Sequence, residues 1–424
     1  METPSPEPQN PTSPSPAPHR WGRRLLAGCA LAVYSVLLAY GALHWGQWME
    51  NRKTVKLRGV APVAESGAWG DLLTYDIRIE QPKEYAAFED TAKERPLWHF
   101  GNIPAEEVRA ILIQSGLSNA QADSALQPAF VSTHEQGTTV SPSAELVLSL
   151  SPQARSSLYQ HLSGIPANRY HAAPFFVPKG DAHRLFIGDK GATPETIRLV
   201  EKLLYYRNGY AFFSDPELIF ARIQTKEQRL DFFQSLTGQN AVLARLLIKP
   251  TADIDKLIGY WCPTVAGVRI RDLRPLLEAE QRLPDGGHVS LLYLLPPLAR
   301  ERLYTFPTPS TDPNERQPDC HWTALNFFNP KPDPRYGNPN EASRAVVENY
   351  YQIAKPGIPG DLVLLVNPRG HVIHSAVHIA SDLTFTKNGI NYAVPWILMR
   401  TDDLVGTYSH GEPVHAVYYR RKEL

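Results

Sequence analysis

The chain has 424 residues, enough for two or three domains and a substantial core. Its 43 basic and 43 acidic residues cancel, which argues against the strongly basic face that a grip on nucleic acid requires. Three cysteines, Cys29, Cys262 and Cys320, make neither a disulfide framework nor a zinc-ribbon spacing.

Residues 1–24 read as a disordered, Pro-rich tail with a basic flank. Seven prolines fall in the first 18 residues, and Arg20, Arg23 and Arg24 follow. Residues 25–48 are expected to form a single transmembrane signal-anchor. No Asp, Glu, Lys or Arg occurs from Leu25 to Met49, and Trp21, Trp45 and Trp48 stand at interfacial positions. Cys29 lies within this span. The competing reading is a signal peptide cleaved near Ala42, against which the length of the run argues. Arg52, Lys53, Lys56 and Arg58 follow the span, so flanking charge does not choose an orientation. The short tail and the large folded part after it predict a C-terminal domain outside the cytoplasm.

Residues 49–304 read as a mixed, mainly helical extracytoplasmic region without an assignable motif. Leu72–Glu80 alternates like a half-buried strand. From 100 to 245 helices are expected to dominate. Pro104 opens one. Thr193-Pro194 opens another, with Asn208-Gly209 as its left-handed stop. Thr225 starts a third, carrying Leu230, Phe232, Phe233 and Leu236. Leu150–Tyr159 and Leu295–Tyr304 share the pattern L-x-P-x-A-R-x-x-L-Y. Two similar helix starts, or a duplicated strand–helix unit, would both account for it.

Residues 305–318 are a Pro-rich linker, and 319–424 form the last domain. Asp319 or Cys320 starts a helix with Trp322, Leu325 and Phe328 on one face. A thiol there feels the positive end of the helix dipole, which favours thiolate, and free N–H groups nearby suit an oxyanion. Ala342 to Ile353 reads as a second helix. Asp361–Val366 is a buried strand and Asn367–Gly370 a turn. His371–Ala380 is the partner strand, with His374, Ala376 and His378 on one face. Further strands follow at Leu383–Thr386, Pro395–Met399 and Val414–Arg420. A cysteine at a helix start with a histidine on a downstream strand is the layout of a thiol hydrolase.

Asp319-Cys320, Gly360-Asp361-Leu362-Val363 and His374-Ser375-Ala376-Val377-His378-Ile379-Ala380 together resemble the NlpC/P60 family of papain-like cell-wall cysteine peptidases. The resemblance covers about residues 315–405. It implies an α+β domain in which a Cys-bearing helix packs on an antiparallel sheet bearing His. It also implies Cys320 as nucleophile, His374 as base, and a third polar residue about a dozen positions on that orients the imidazole. Thr386, Lys387 and Asn388 occupy that place. Asn388 is the chemically sensible choice, because a lysine would disfavour the imidazolium. His321-Trp322 stand where the family has Ser-Gly, and Ala380 where it has Gly, so the groove is more crowded.

The function this predicts is cleavage of an amide bond by a membrane-anchored extracytoplasmic enzyme. Peptides of peptidoglycan are the substrate the resemblance implies. No cofactor, metal or nucleic-acid partner enters this reading, and protein partners are unassigned. Three alternatives stand beside it. The first is an envelope scaffold on a degenerate hydrolase fold, in which Cys320 is an ordinary buried thiol. The second is a transglutaminase- or acyltransferase-like enzyme with Asp382 as its acid. The third is a Cys262–Cys320 disulfide that silences the nucleophile. His378 reads as a packing residue, since the motif register selects His374. His321, His371, His374, His378 and Cys320 follow no standard zinc spacing.

Overall fold

A computed structural model describes residues 62–88, 90, 96–134, 137–187, 192–263, 270–310, 312 and 316–424. These residues fall within one compact unit, Arg58–Leu424. The expected tail, the signal-anchor with its alternative cleavage site, and Cys29 lie outside the described residues. Among the described residues no helix is long and apolar enough to cross a membrane. They form a mixed α+β fold with fourteen α-helices and four antiparallel sheets.

The first half is less helical than its sequence suggests. Helices at Ala105–Gln114, Pro194–Leu203 and Lys226–Thr237 begin where expected. Thr193 and Thr225 each cap their helix by accepting a backbone N–H three residues on. Two three-stranded sheets are interleaved with these helices. Asn208-Gly209 is not a helix stop. Both residues have positive φ and form the two-residue turn between strands Tyr205–Arg207 and Tyr210–Phe213. The core here gathers Trp98, Val108, Leu158, Phe212 and Phe232.

The repeated L-x-P-x-A-R pattern yields two Pro-first helices, Pro152–Leu162 and Pro297–Arg302. An α-helix precedes the first and a 3-10 turn the second, so neither directly follows a strand. The shared arginine has opposite fates. Arg155 is buried against the carbonyls of Val147 and Leu150, whereas Arg300 is exposed.

A four-stranded sheet runs in chain order as β1 (Val63–Gly67), β2 (Gly70–Ile79), β3 (Gln239–Ile248) and β4 (Gly287–Ser290). β3 is a ten-residue strand that begins inside the stretch expected to be helical. Ala241 to Ile248 is almost continuously apolar, a pattern that suits a buried strand or a buried helix equally. Its pairing with β2 decides the outcome, from Asp71 opposite Leu247 to Ile79 opposite Gln239.

The second large sheet contains β5 (Tyr350–Ile353), β6 (Leu362–Val366), β7 (Val372–Ala380), β8 (Leu383–Lys387), β9 (Trp396–Arg400) and β10 (His415–Arg421). Their spatial order is β5-β10-β6-β7-β8-β9. The helix expected to reach Ile353 ends at Asn349, and Tyr350–Ile353 instead pair with β10. Tyr-Tyr-Gln-Ile suits a pleated edge better than a helix end. Helix α1 (Cys320–Leu325) packs on one face of this sheet, through Leu325, Phe327, Phe385 and Trp396. Helix α2 (Thr401–Tyr408), unread in the sequence, closes the other face through Leu404.

One apolar core joins the two large sheets, from Leu72 and Leu246 through Trp261 and Leu295 to Val377 and Leu398. It crosses the position of the expected linker. Tyr304 N–H donates to the Trp396 carbonyl, and Trp396 N–H donates to that of Thr305. A charged hub fastens the same junction. The Arg400 guanidinium reaches Glu65 at 3.2 Å, Asp76 at 3.2 Å, Asp382 at 3.0 Å and the Thr74 hydroxyl at 3.1 Å. A long cation with four acceptors is a satisfied buried charge, which burial otherwise penalises.

Candidate active site

Asp319 caps α1, its carboxylate accepting the Trp322 N–H at 2.8 Å. That places Cys320 at the first helical position. The β7–β8 ladder runs from Ala380 opposite Leu383 to Val377 opposite Phe385 and stops there. Beyond its end, the backbone N–H of Ser375 acts to lower the Cys320 thiol. Trp396 Nε1 donates to the Thr323 hydroxyl at 3.0 Å and holds the helix against the sheet.

Cys320 is a free thiol, as is Cys262, so the alternative disulfide is not made. The sulfur's environment opposes the expectation drawn from the helix start. Cys320 is only 7% exposed, and burial pushes its thiol up to about 11. The N–H groups of Ser375, His321 and Cys320 pull it down by less, and the Asp319 charge adds to the rise. In this resting geometry the sulfur is protonated.

His374 is fully buried on β7. Its Nε2 lies 2.8 Å from Thr386 Oγ1, and its ring centre 4.4 Å from that of Tyr408 on α2. Its Nδ1 is buried with no hydrogen-bond partner. Burial, and secondarily the nearby His321, press the imidazole down to about 3, so it is neutral. The residue that meets this ring is therefore Thr386, not Asn388. Asn388 points to the other large sheet, donating to Gln239 at 3.1 Å and to the Met399 sulfur at 3.5 Å. Side chains alternate along β8, so the position twelve residues after His374 shares its face and the position fourteen after lies beyond the strand end.

Lys387, on the opposite face of β8 from Thr386, is wholly buried. Its Nζ donates to the carbonyls of Gly389 at 2.7 Å and Asn391 at 2.9 Å. Burial lowers its ammonium to about 8, against the weaker opposing pull of Cys320 and Asp319. Tyr408, which the sequence did not flag, packs against His374 from α2. It stacks on His374, and burial followed by the Cys320 charge raises its phenol. His374, Thr386 and Tyr408 thus meet on the α2 face of the sheet, while the helix that begins at Cys320 packs on the opposite face. No thiol–imidazole hydrogen bond is made.

Two motif residues turn out to build rather than react. Asp361 is fully buried and accepts the Arg420 guanidinium at 2.8 and 2.7 Å, Gly357 N–H at 2.7 Å and Ile358 N–H at 3.1 Å. Gly360 has φ +101, and a Cβ there would lie 2.1 Å from the Phe328 ring. Only glycine fits both the turn and the close approach. His378 is buried beside this pair, and burial lowers it to about 4. Asp382, the acid of the transglutaminase reading, is bound to Arg400, while Nε2 of His374 is taken by Thr386. Among the described residues no group of three or more His, Cys, Asp or Glu is disposed to hold a metal ion.

Comparison with known proteins adds no relative: no family model, no curated protein and no solved structure matches this chain.

Proposed function

We propose that this chain is a membrane-anchored extracytoplasmic cysteine hydrolase that cleaves an amide bond, with peptidoglycan peptides as its substrate. One observation carries the reading. A buried histidine, engaged at Nε2 by Thr386 and with Nδ1 unpartnered, lies on β7, the strand against which the helix that begins at Cys320 packs. With the Thr386 hydroxyl accepting from Nε2–H, Nδ1 is the nitrogen that takes a proton.

In the proposed reaction the Cys320 thiol gives its proton to His374 Nδ1, and the thiolate adds to the substrate carbonyl. The carbon–nitrogen bond breaks, the amine departs with the proton, and water hydrolyses the thioester to regenerate the thiol. The resting groups are both neutral, so the proton moves only once a filled site draws the sulfur and Nδ1 together. The substrate and the location follow from the resemblance to NlpC/P60 peptidases and from the apolar stretch at 25–48, not from the geometry.

The enclosure of Cys320 also favours a second reading, an envelope scaffold that has kept the fold without the chemistry. Incubation with peptidoglycan stem peptides, with product amines followed by mass spectrometry, separates the two. Hydrolysis by the wild-type chain and its loss in Cys320→Ala and His374→Ala supports the enzyme. Identical digests from all three support the scaffold.

A further inference from the structure

His321 is the one site histidine that reaches solvent. It follows the nucleophile directly and is half-buried, whereas His374 is sealed. Its Nδ1 lies 2.7 Å from Ser375 Oγ, on the residue whose backbone N–H lowers the Cys320 thiol. Ser375 is 3% exposed, and the His321 ring is the recorded partner of its hydroxyl. In the proposed arrangement Ser375 donates its hydroxyl proton to Nδ1. That fixes the tautomer and leaves the proton on Nε2. Nε2 has no protein partner and is not among the buried polar atoms without one, so it opens to solvent on the residue next to the nucleophile.

We propose that His321, locked as its Nε2–H tautomer by Ser375, donates a hydrogen bond from Nε2 to the substrate's carbonyl oxygen as that oxygen gains charge. This rests on the hydrolase reading above and adds a role to it. A fixed donor aimed at developing negative charge stabilises the transition state more than the ground state. Burial lowers the His321 imidazole, against a weaker opposing pull from Asp319, so the ring stays neutral at pH 7 and keeps its single donor in place. No covalent step on His321 is involved. It also gives a purpose to a bulky imidazole where the NlpC/P60 pattern has a small residue.

The test uses the full-length chain and two probes. p-Nitrophenyl acetate forms an oxyanion when the thiolate attacks, whereas alkylation of Cys320 by iodoacetamide does not. His321→Phe keeps a ring without the donor, and His321→Gln restores an N–H. The expected result is a fall of roughly 100- to 1,000-fold in ester turnover for the Phe variant, with partial recovery in the Gln variant. The alkylation rate should stay within about twofold in both, because the sulfur's own partners are untouched. Ser375→Ala should lose part of the ester rate by freeing the tautomer. Wild-type ester turnover in His321→Phe, or parallel loss of turnover and alkylation, overturns the donor role. So does a wild-type chain that alkylates at Cys320 but never turns the ester over. If the wild-type Cys320 resists alkylation altogether, the hydrolase reading itself has failed.

Discussion

Thr386 Oγ1 stands 2.8 Å from Nε2 of His374, and both side chains are completely buried. The hydroxyl engages one nitrogen of the ring, so the contact sets the orientation of the proposed base. Thr386→Val keeps the shape and deletes the bond. It should cost about 1–3 kcal/mol of transition-state stabilisation, roughly tenfold to a hundredfold in turnover. Asn388→Ala should leave turnover unchanged, since its partners are Gln239 and Met399. Steady-state rates on one substrate, with melting curves for both variants, provide the check.

The buried thiol should make Cys320 a slow nucleophile at rest. With its pKa pushed up to about 11, alkylation by iodoacetamide is expected to rise about tenfold per pH unit from pH 7 to 10. A plateau beginning near neutrality would mean that a thiolate–imidazolium pair already exists in the free chain. Mass spectrometry of the labelled Cys320 peptide measures this directly.

His374 links stability to pH. Its imidazole is held down to about 3 in the fold, against 6.5 in the unfolded chain. Below pH 6.5 the unfolded chain takes a proton that the folded chain refuses, so stability falls as pH drops through that window towards 3. Asp215 and Asp403, raised by burial to about 6, act with the opposite sign. The contribution of His374 is therefore read as a difference. His374→Gln should flatten the slope of unfolding free energy between pH 6 and 4 by about 1.4 kcal/mol per unit. Urea titrations of both chains across that range give the slopes.

The Asp361–Arg420 pair predicts a defect of folding rather than of chemistry. Removing the carboxylate in Asp361→Ala strands a guanidinium and two backbone N–H groups. The expected loss is about 3–5 kcal/mol. Gly360→Ala should also destabilise, because the added methyl meets the Phe328 ring in a backbone conformation that disfavours it. The double variant with Phe328→Ala should recover less than the whole loss, since the positive φ persists. Denaturant midpoints report each case.

The β6–β7 hairpin and the Cys-bearing helix were legible because their signals are local. Asp319 announces the cap, and Asn367–Gly370 the turn. Thr386 and Asn388 have the same parity, so alternation in the sequence does not separate them, and only the end of β8 at Lys387 leaves Asn388 off the strand. Tyr408 and the His321–Ser375 contact were not legible, because each joins elements whose meeting only the fold determines. The long strand β3 failed for a similar reason. Its apolar run has no period of its own, and its partner β2 lies far upstream.

The Arg400–Glu65 contact spans 335 positions along the chain. During synthesis β1 and β2 therefore emerge long before β3 supplies their partner edge, and longer still before Arg400 arrives to neutralise Glu65 and Asp76. Early hairpin and late sheet must wait for one another, a topology that slows folding and leaves a strand edge unprotected meanwhile. A chain released short of β9 would leave Glu65 without Arg400 and Asp76 with Arg184 alone, which makes the last quarter of the polypeptide a requirement for β1 and β2 as much as for the site it carries.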